Sequence, residues 1–213
     1  MSKTMKPSEK RLKHFQGMVA YDSGFVGFGA SLAGMDEVGR GPLFGPVVTA
    51  CVIMPKEPLF HWIDDSKKLS KARREELFDQ IRAHALYVGI GEASPKEIDQ
   101  YNILNATKLA MERAAEKAPA SLCLVDAVQG LHLPFRTHSL VRGDSTSYHI
   151  AAASIIAKVT RDRMLGKYAE TYPQYGLETN MGYGTAVHIQ AIREHGATPE
   201  HRMTFIQKFL REV

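Results

Sequence analysis

The sequence predicts a mixed α/β sandwich, with hairpin strands at one end of a sheet and helices covering it. Three observations lead there. The order of elements is strand, strand, helix, strand, helices, strand, strand, helix, helical tail. The strand-like runs are short and rich in β-branched residues, as in Pro46 to Met54. The chain has 213 residues, 44% hydrophobic and 23% charged, which suits one packed domain with a small appendage. Residues 1–30 are read as a basic extension, a partly ordered arm ending in the glycine-rich Gly24-Phe-Val-Gly-Phe-Gly29. Residues 31–213 are read as a single domain whose part from about 170 onward is helical.

Leu32 to Glu37 reads as the first strand. A Gly41-Pro-Leu-Phe-Gly-Pro46 turn joins it to the second, Pro46 to Met54. Ser70 is an N-cap for a helix whose apolar face carries Leu77, Phe78 and Ile81. Leu86 to Glu92 is a third strand. Two helices follow, Pro95 to Gln100 and Ile103 to Lys117. Leu122 to Val125 is a buried strand with Asp126 at its C-terminal end, and Arg136 to Val141 is a fifth. A long helix runs from Ser147 to about Tyr168. Another spans Thr185 to His195 and stops at Gly196, and a helical tail covers about Arg202 to Leu210. No internal repeat or low-complexity tract is present.

Composition narrows the function classes. The longest apolar runs are far too short to span a bilayer, and the first residues lack the apolar middle of a signal peptide. The expectation is a cytoplasmic protein with no membrane association. Cys51 and Cys123 lie in apolar runs and read as buried thiols. The formal net charge is +4, a mild preference for polyanions. The cations cluster in three places: Lys3, Lys6, Lys10, Arg11 and Lys13; Lys67, Lys68, Lys71, Arg73 and Arg74; and Lys158, Arg161, Arg163 and Lys167. Each cluster reads either as a solvated face or as a polyanion contact.

Four acids stand out by position. Asp36 and Glu37 end the first strand, Asp126 ends the fourth, and Asp144 lies just before the long helix. Ligands of open α/β sheets bind outside strand ends, so these acids can converge there. Carboxylates with no matching histidine or cysteine set favour a hard ion, Mg²⁺ or Mn²⁺. Asp126 equally fits an acid bonding a turn, and Asp144 a helix N-cap. Glu37 ranks below Asp36, because consecutive strand residues point to opposite faces. Arg40, between Gly39 and Gly41, reads either as the partner of a surface acid or, preferably, as a phosphate contact on a loop whose backbone can be closely approached. Asp65-Ser66-Lys67-Lys68 offers a hydroxyl and two ammonium groups, or a polar helix lead-in. Tyr183, between glycines, is placed to stack on a sugar or base. His195 and His201 are too isolated for a zinc site and read as surface or core residues. No phosphate-binding GxxxxGK[ST], HExxH, paired CxxC or GxSxG motif occurs.

Met35-Asp-Glu-Val-Gly-Arg-Gly-Pro-Leu-Phe-Gly-Pro46, Asp65-Ser-Lys-Lys-Leu69, Val125-Asp-Ala127 and Gly143-Asp144 resemble the ribonuclease HII family. So do Ile150-Ala-Ala-Ala-Ser-Ile-Ile-Ala-Lys-Val-Thr-Arg-Asp162, Tyr172-Pro173, Gly182-Tyr-Gly-Thr185 and His188. The Gly196-Ala-Thr-Pro-Glu-His-Arg202 ending resembles the bacterial form. The likeness runs from about residue 32 to 205; residues 127 to 141 match only loosely. It implies an RNase H-like fold and endonucleolytic cleavage of the RNA strand of RNA–DNA hybrids. It also implies incision 5′ to single ribonucleotides in duplex DNA, leaving a 3′-hydroxyl and a 5′-phosphate, and a place in ribonucleotide excision repair. By resemblance, Asp36, Glu37, Asp126 and Asp144 are catalytic and hold two Mg²⁺ or Mn²⁺ ions. Gly39, Arg40 and Gly41 test for the ribonucleotide 2′-hydroxyl and Tyr183 stacks on substrate; Ser66 and Lys67, with the hydroxyl and ammonium of their loop, are read as further substrate contacts. Asp162 is structural. The partners are a hybrid duplex or a ribonucleotide-containing DNA duplex. The protein is expected to be a monomer, with a sliding clamp as a candidate protein partner.

Overall fold

The computed structural model describes residues 7–25, 31–58 and 60–210. One five-stranded sheet has the order β3-β2-β1-β4-β5. The strands are β1 (Leu32–Val38), β2 (Val47–Ile53), β3 (Tyr87–Ala93), β4 (Leu122–Asp126) and β5 (Arg136–Leu140). β1, β2 and β3 form an antiparallel meander, and β4 and β5 continue from β1 in parallel. Met35 lies opposite Val125, so Asp36 and Asp126 follow side by side, although β1 runs on to Val38.

Strand alternation divides the core. Ala33, Met35, Cys51, Ile53, Cys123 and Val125 point to one face and pack with Met111, Ala114 and Ala115 of α3 (Pro95–Ala115). Ala50 and Val52 point to the other face, against α2 (Lys71–His84) and α4 (Tyr148–Thr171). Both cysteines are buried and free, as expected of core thiols. The loosely matching 127–135 segment crosses the α3 face, where Val128, Leu131, Leu133 and Phe135 join the core. A third cluster, built on Phe44, Leu165, Tyr175 and Ile192, gathers the C-terminal helices α5 (Leu177–Asn180), α6 (Ala186–His195) and α7 (Met203–Leu210).

The helix boundaries follow local chemistry. Ser70, Ser147 and Thr185 each accept an N–H from the first turn of the helix they precede, and Gly196 closes α6. The two helices expected between Pro95 and Lys117 adjoin at Asn102, which has φ 66°. Its Oδ1 accepts from the N–H groups of Leu104 and Asn105 at 3.0 and 3.1 Å and so starts the second segment.

One element departs from the sequence reading. The N-terminal extension carries a full helix, α1 (Glu9–Ser23), capped by Ser8. Leu12, Phe15, Met18 and Val19 recur at helical spacing and pack on the core beside Tyr148, so burial orders this segment. Arg11 donates to the Trp62 carbonyl at 3.3 Å. Asp22 Oδ2 accepts from the His149 backbone N–H at 3.0 Å and lies 2.7 Å from His149 Nδ1. The glycine-rich stretch beyond Phe25, and Lys3 and Lys6, lie outside the described residues.

α4 lies directly on β1 because Gly34 has no side chain. A Cβ there would overlap the backbone of His149 and Ile150. Overpacking against backbone has no cheap relief. Gly34→Ala is therefore expected to cost about 3 kcal/mol or more of unfolding free energy, measured by urea denaturation. A loss under about 1 kcal/mol would show that α4 is not seated as described.

Candidate active site

The first two acids are placed by the sheet. Asp36 shares the strand parity of Gly34, and Asp126 that of Leu124, so both project to the α4 face. The parallel register of β1 and β4, with Met35 opposite Val125, brings them side by side. β4 stops where Ala127 turns to φ 51°. Asp126 Oδ1 then accepts the Gly143 N–H at 2.8 Å, which ties the Gly143–Ser145 turn to the strand end. That turn carries Asp144. Oxygens of Asp36, Asp126 and Asp144 all lie within 4.8 Å of one another.

Glu37 is not one of the three, yet its charge acts on Asp36 and Asp126 acts on it. Its Oε1 is 3.4 Å from Arg40 Nη1, and its Oε2 is buried with no hydrogen-bond partner among the described residues. The Lys67 ammonium lies 3.4 Å from Asp144 Oδ2. Ser66 is buried beneath the loop, where its hydroxyl accepts from Ser154 at 2.8 Å, so it supports the loop from below. Asp162 is 2.6 Å from Lys158 and takes no part in the cluster.

Burial raises Asp36, Glu37 and Asp126. Burial, then Glu37 and Asp126, push the Asp36 carboxyl well above its ordinary range. Burial also raises Glu37, against the lowering effect of Arg40, and raises Asp126 with Asp144 adding to it. Burial lowers the Lys67 ammonium, but Asp144, Asp36 and Asp65 outweigh it and the net direction is upward. The donor set is all oxygen with no histidine or thiol, and Glu37 Oε2 is a buried acceptor awaiting a donor or cation. This chemistry fits a hard divalent ion.

Beside the acids, the Gly39–Pro46 loop is held from beneath by two buried arginines. Arg161 donates to the carbonyls of Pro46 (3.1 Å), Phe44 (2.9 Å) and Met181 (3.1 Å). Arg202 donates to those of Gly45 (2.9 Å), Arg40 (3.0 Å) and Gly39 (2.6 Å). Burial lowers their pKa values, to about 10 for Arg161 and about 9 for Arg202, and both stay charged at neutral pH. Peptide units are planar and trans, so each C=O opposes the N–H that follows it. With the Gly39 and Arg40 carbonyls turned inward, the N–H groups of Arg40 and Gly41 face outward. Gly39 has φ 91°, and a Cβ there would overlap the Arg161 side chain.

Sequence reasoning placed Arg161 in a surface basic cluster, and the structure corrects this. Arg161 is 1% exposed. Ala153, Ala157, Arg161, Leu165 and Ala169 are all buried at four-residue spacing, a helical stripe that could have revealed it. Arg202, 0% exposed, follows a loop and carried no comparable signal.

Tyr183 stands next to Gly41, half exposed, with its ring 3.5 Å from where a Gly41 Cβ would lie. A histidine chain holds its backbone. The Thr198 N–H donates to His201 Nδ1 at 3.0 Å, which leaves the His201 proton on Nε2. That nitrogen is 3.2 Å from His188 Nε2, so His188 carries its proton on Nδ1 and donates to the Tyr183 carbonyl at 2.9 Å. These tautomers are assigned from their partners. His201 is thus a core residue, while His195 lies at the surface.

Two predictions follow from this geometry. Burial, and then His188, lower His201 to about 4, and burial lowers His188. The unfolded chain binds protons below about 6.5 that the folded chain refuses. Stability from this pair is full above that pH and is lost as pH falls toward about 4. ¹⁵N-resolved imidazole spectra should show His201 as the Nε2–H tautomer, unprotonated at pH 5.5; a midpoint near 6.5 would refute the wiring. The second prediction concerns Asp126→Asn, whose Oδ1 keeps the Gly143 bond while one like charge is removed. Metal-free stability should rise by about 1 kcal/mol, and the upward Tm shift with Mg²⁺ or Mn²⁺ should shrink or vanish. Scanning calorimetry with and without chelator reads both.

Comparison with known proteins identifies relatives of this arrangement. The sequence model of the family described as Ribonuclease HII matches residues 33–209. A curated ribonuclease HII from Caldanaerobacter subterraneus subsp. tengcongensis is 46% identical over 206 residues, covering 95% of this chain and 86% of that protein. Among solved structures, the PCNA:RNase HII complex from Archaeoglobus fulgidus matches with TM-score 0.71 and 27% identity, over 81% of this chain and 94% of that one. The ribonuclease H2 of Pyrococcus horikoshii also matches with TM-score 0.71, at 25% identity, over 85% of this chain and 99% of that one. The fold is therefore the RNase H-like mixed sheet expected from the sequence.

Proposed function

Because the chain belongs to the ribonuclease HII family, a group of metal-dependent endoribonucleases acting on RNA–DNA hybrids, we propose that it also incises DNA duplexes at single ribonucleotides. Cleavage falls 5′ to the ribonucleotide and leaves a 3′-hydroxyl and a 5′-phosphate, the first step of ribonucleotide removal from DNA. The observation that carries this reading is the convergence of Asp36, Asp126 and Asp144 at two strand ends.

Asp36, Asp126 and Asp144, with Glu37 beside them, would hold two Mg²⁺ or Mn²⁺ ions. Bound there, such ions supply Lewis acidity, which lowers the pKa of an attacking water and stabilises charge on the leaving 3′-oxygen. The chain's own residues do the rest. Asp36, whose carboxyl feels the charges of both Glu37 and Asp126, would be the central ligand of the set. The outward N–H groups of Arg40 and Gly41 meet the 2′-hydroxyl, the group that separates RNA from DNA at one position. The Tyr183 ring packs on the sugar beside them, and the Arg40 and Lys67 side chains contact flanking phosphates. Glu37 holds Arg40 at the rim of the site.

The catalytic unit in this reading is residues 31–213, with residues 1–30 as an appended arm, and the enzyme works as a cytoplasmic monomer. Among the described residues no helix is long and apolar enough to cross a membrane. The A. fulgidus relative is in a complex with PCNA, and a sliding-clamp partner is the corresponding proposal for this chain.

Cleavage of a DNA duplex carrying one ribonucleotide tests the proposal directly. With Mg²⁺ or Mn²⁺ the product should end 5′ to the ribonucleotide, and chelator should abolish it. Asp36→Asn and Asp126→Asn should each lower kcat by at least about 10³-fold, with duplex binding largely kept. Near-normal turnover in either variant would overturn the ligand assignment.

A further inference from the structure

α1 precedes residue 33, where the family match begins, and no step above uses it. Yet it borders the acids. Its exposed stripe lines two open grooves that share Lys10 and His14. One, about 470 Å³, lies between α1 and the loop before α2, with Arg11, Asp64 and Lys68 in its walls. The other, about 490 Å³, lies between α1 and the Ser145–Thr146 turn, with Lys13, Gly17 and Tyr21. Ser145 directly follows Asp144, and Lys68 follows the Lys67 whose ammonium reaches Asp144. Both grooves therefore open beside the acid cluster.

Their charge is one-sided. The first sets Lys10, Arg11 and Lys68 against a single acid, the buried Asp64. Asp64 holds Arg11 at 3.8 Å, His14 at 3.2 Å and Lys68 at 3.5 Å, so one carboxylate gathers three basic side chains. The second groove has no acid in its walls. Lys10 and Lys13 make no ion pair among the described residues and have their ammonium donors to spend. Gly17 adds an independent sign. It sits inside the helix, where glycine is a poor choice, and a Cβ there would meet nothing within 4 Å. Packing does not require this glycine, and its missing side chain leaves the backbone of α1 open to close approach at the second groove.

We infer that the Lys10–Lys13–His14 stripe of α1, with Gly17, is a phosphate-binding track that carries the nucleic-acid duplex away from the acid cluster on its Asp144 side. This inference rests on the nuclease reading above. The occupant is a sugar–phosphate backbone, held by charge and without reading sequence. A small phosphate ester would fill neither groove.

Anisotropy of a labelled RNA–DNA hybrid, titrated with the full chain in chelator across a KCl series, tests it. Lys10→Ala/Lys13→Ala should weaken binding about tenfold near physiological salt. It should also flatten log K against log[KCl] by about 1.8, which is ~0.9 per lost phosphate contact. A control pair on the α3 side, Lys96→Ala/Lys117→Ala, should leave the slope unchanged. Gly17→Glu is the second variant: it should hold or raise Tm, since glutamate favours helix, yet weaken hybrid binding. A merely structural helix would hold or raise Tm as well but leave hybrid binding unchanged. An unchanged slope in the lysine variant, or unchanged binding in Gly17→Glu, overturns the track. If wild type still cleaves hybrid with metal, the nuclease reading survives that result. If wild type cleaves no hybrid, the nuclease reading fails and the track falls with it.

Discussion

Two guanidinium groups, buried with no carboxylate partner among the described residues, govern the geometry of this protein. Arg161 and Arg202 together donate to six backbone carbonyls, five of them in the Gly39–Pro46 loop. A buried cation is tolerable only when fully hydrogen-bonded, so the loop cannot turn its carbonyls elsewhere without stranding charge. Carbonyls drawn inward force the next N–H groups outward, in the loop that follows Asp36 and Glu37. The left-handed turn at Gly39 follows from the same constraint, because Arg161 occupies the volume a side chain would need. The C-terminal helices serve this arrangement: Asp99 of α3 accepts from the N–H groups of Met203 and Thr204 and so fixes α7, at whose start Arg202 stands.

The acids show the opposite economy. Three carboxylates are gathered at strand ends with one close ammonium, and burial and mutual repulsion raise Asp36 and Asp126. Such a site lowers the stability of the empty fold and is stabilised by the cation it is built for. The sheet makes this strain possible. Strand pairing and the helix α4 lying flush on Gly34 hold β1 and β4 at fixed register, so the acids cannot move apart.

The N-terminal segment joins these two systems to the surface. Asp22 of α1 grips the first turn of α4 through His149, close after the Asp144 turn. The same helix offers a basic stripe to solvent beside that turn. One element thus braces the acid-bearing turn and extends the charged surface around it.

Much of this was legible in the sequence, for identifiable reasons. The strands and helices from Leu32 onward follow from alternation, helical spacing and capping residues such as Ser70, Ser147 and Thr185. These are local properties that no distant contact overrides. The side-by-side position of Asp36 and Asp126 was foreseeable from acids placed near strand ends. The helix α1 was missed because Leu12, Phe15, Met18 and Val19 sit among lysines, and only burial against Tyr148 makes their stripe decisive. Ser66, Arg161 and Arg202 required the tertiary structure. Whether a hydroxyl or a guanidinium faces solvent or carbonyl oxygens depends on what lies across from it, here residues as far as 163 positions away. Residue types and periodicities determined which groups this chain possesses and where its elements begin. Only packing decided which polar groups point inward, because the cost of burying them is set by partners brought in from the rest of the chain.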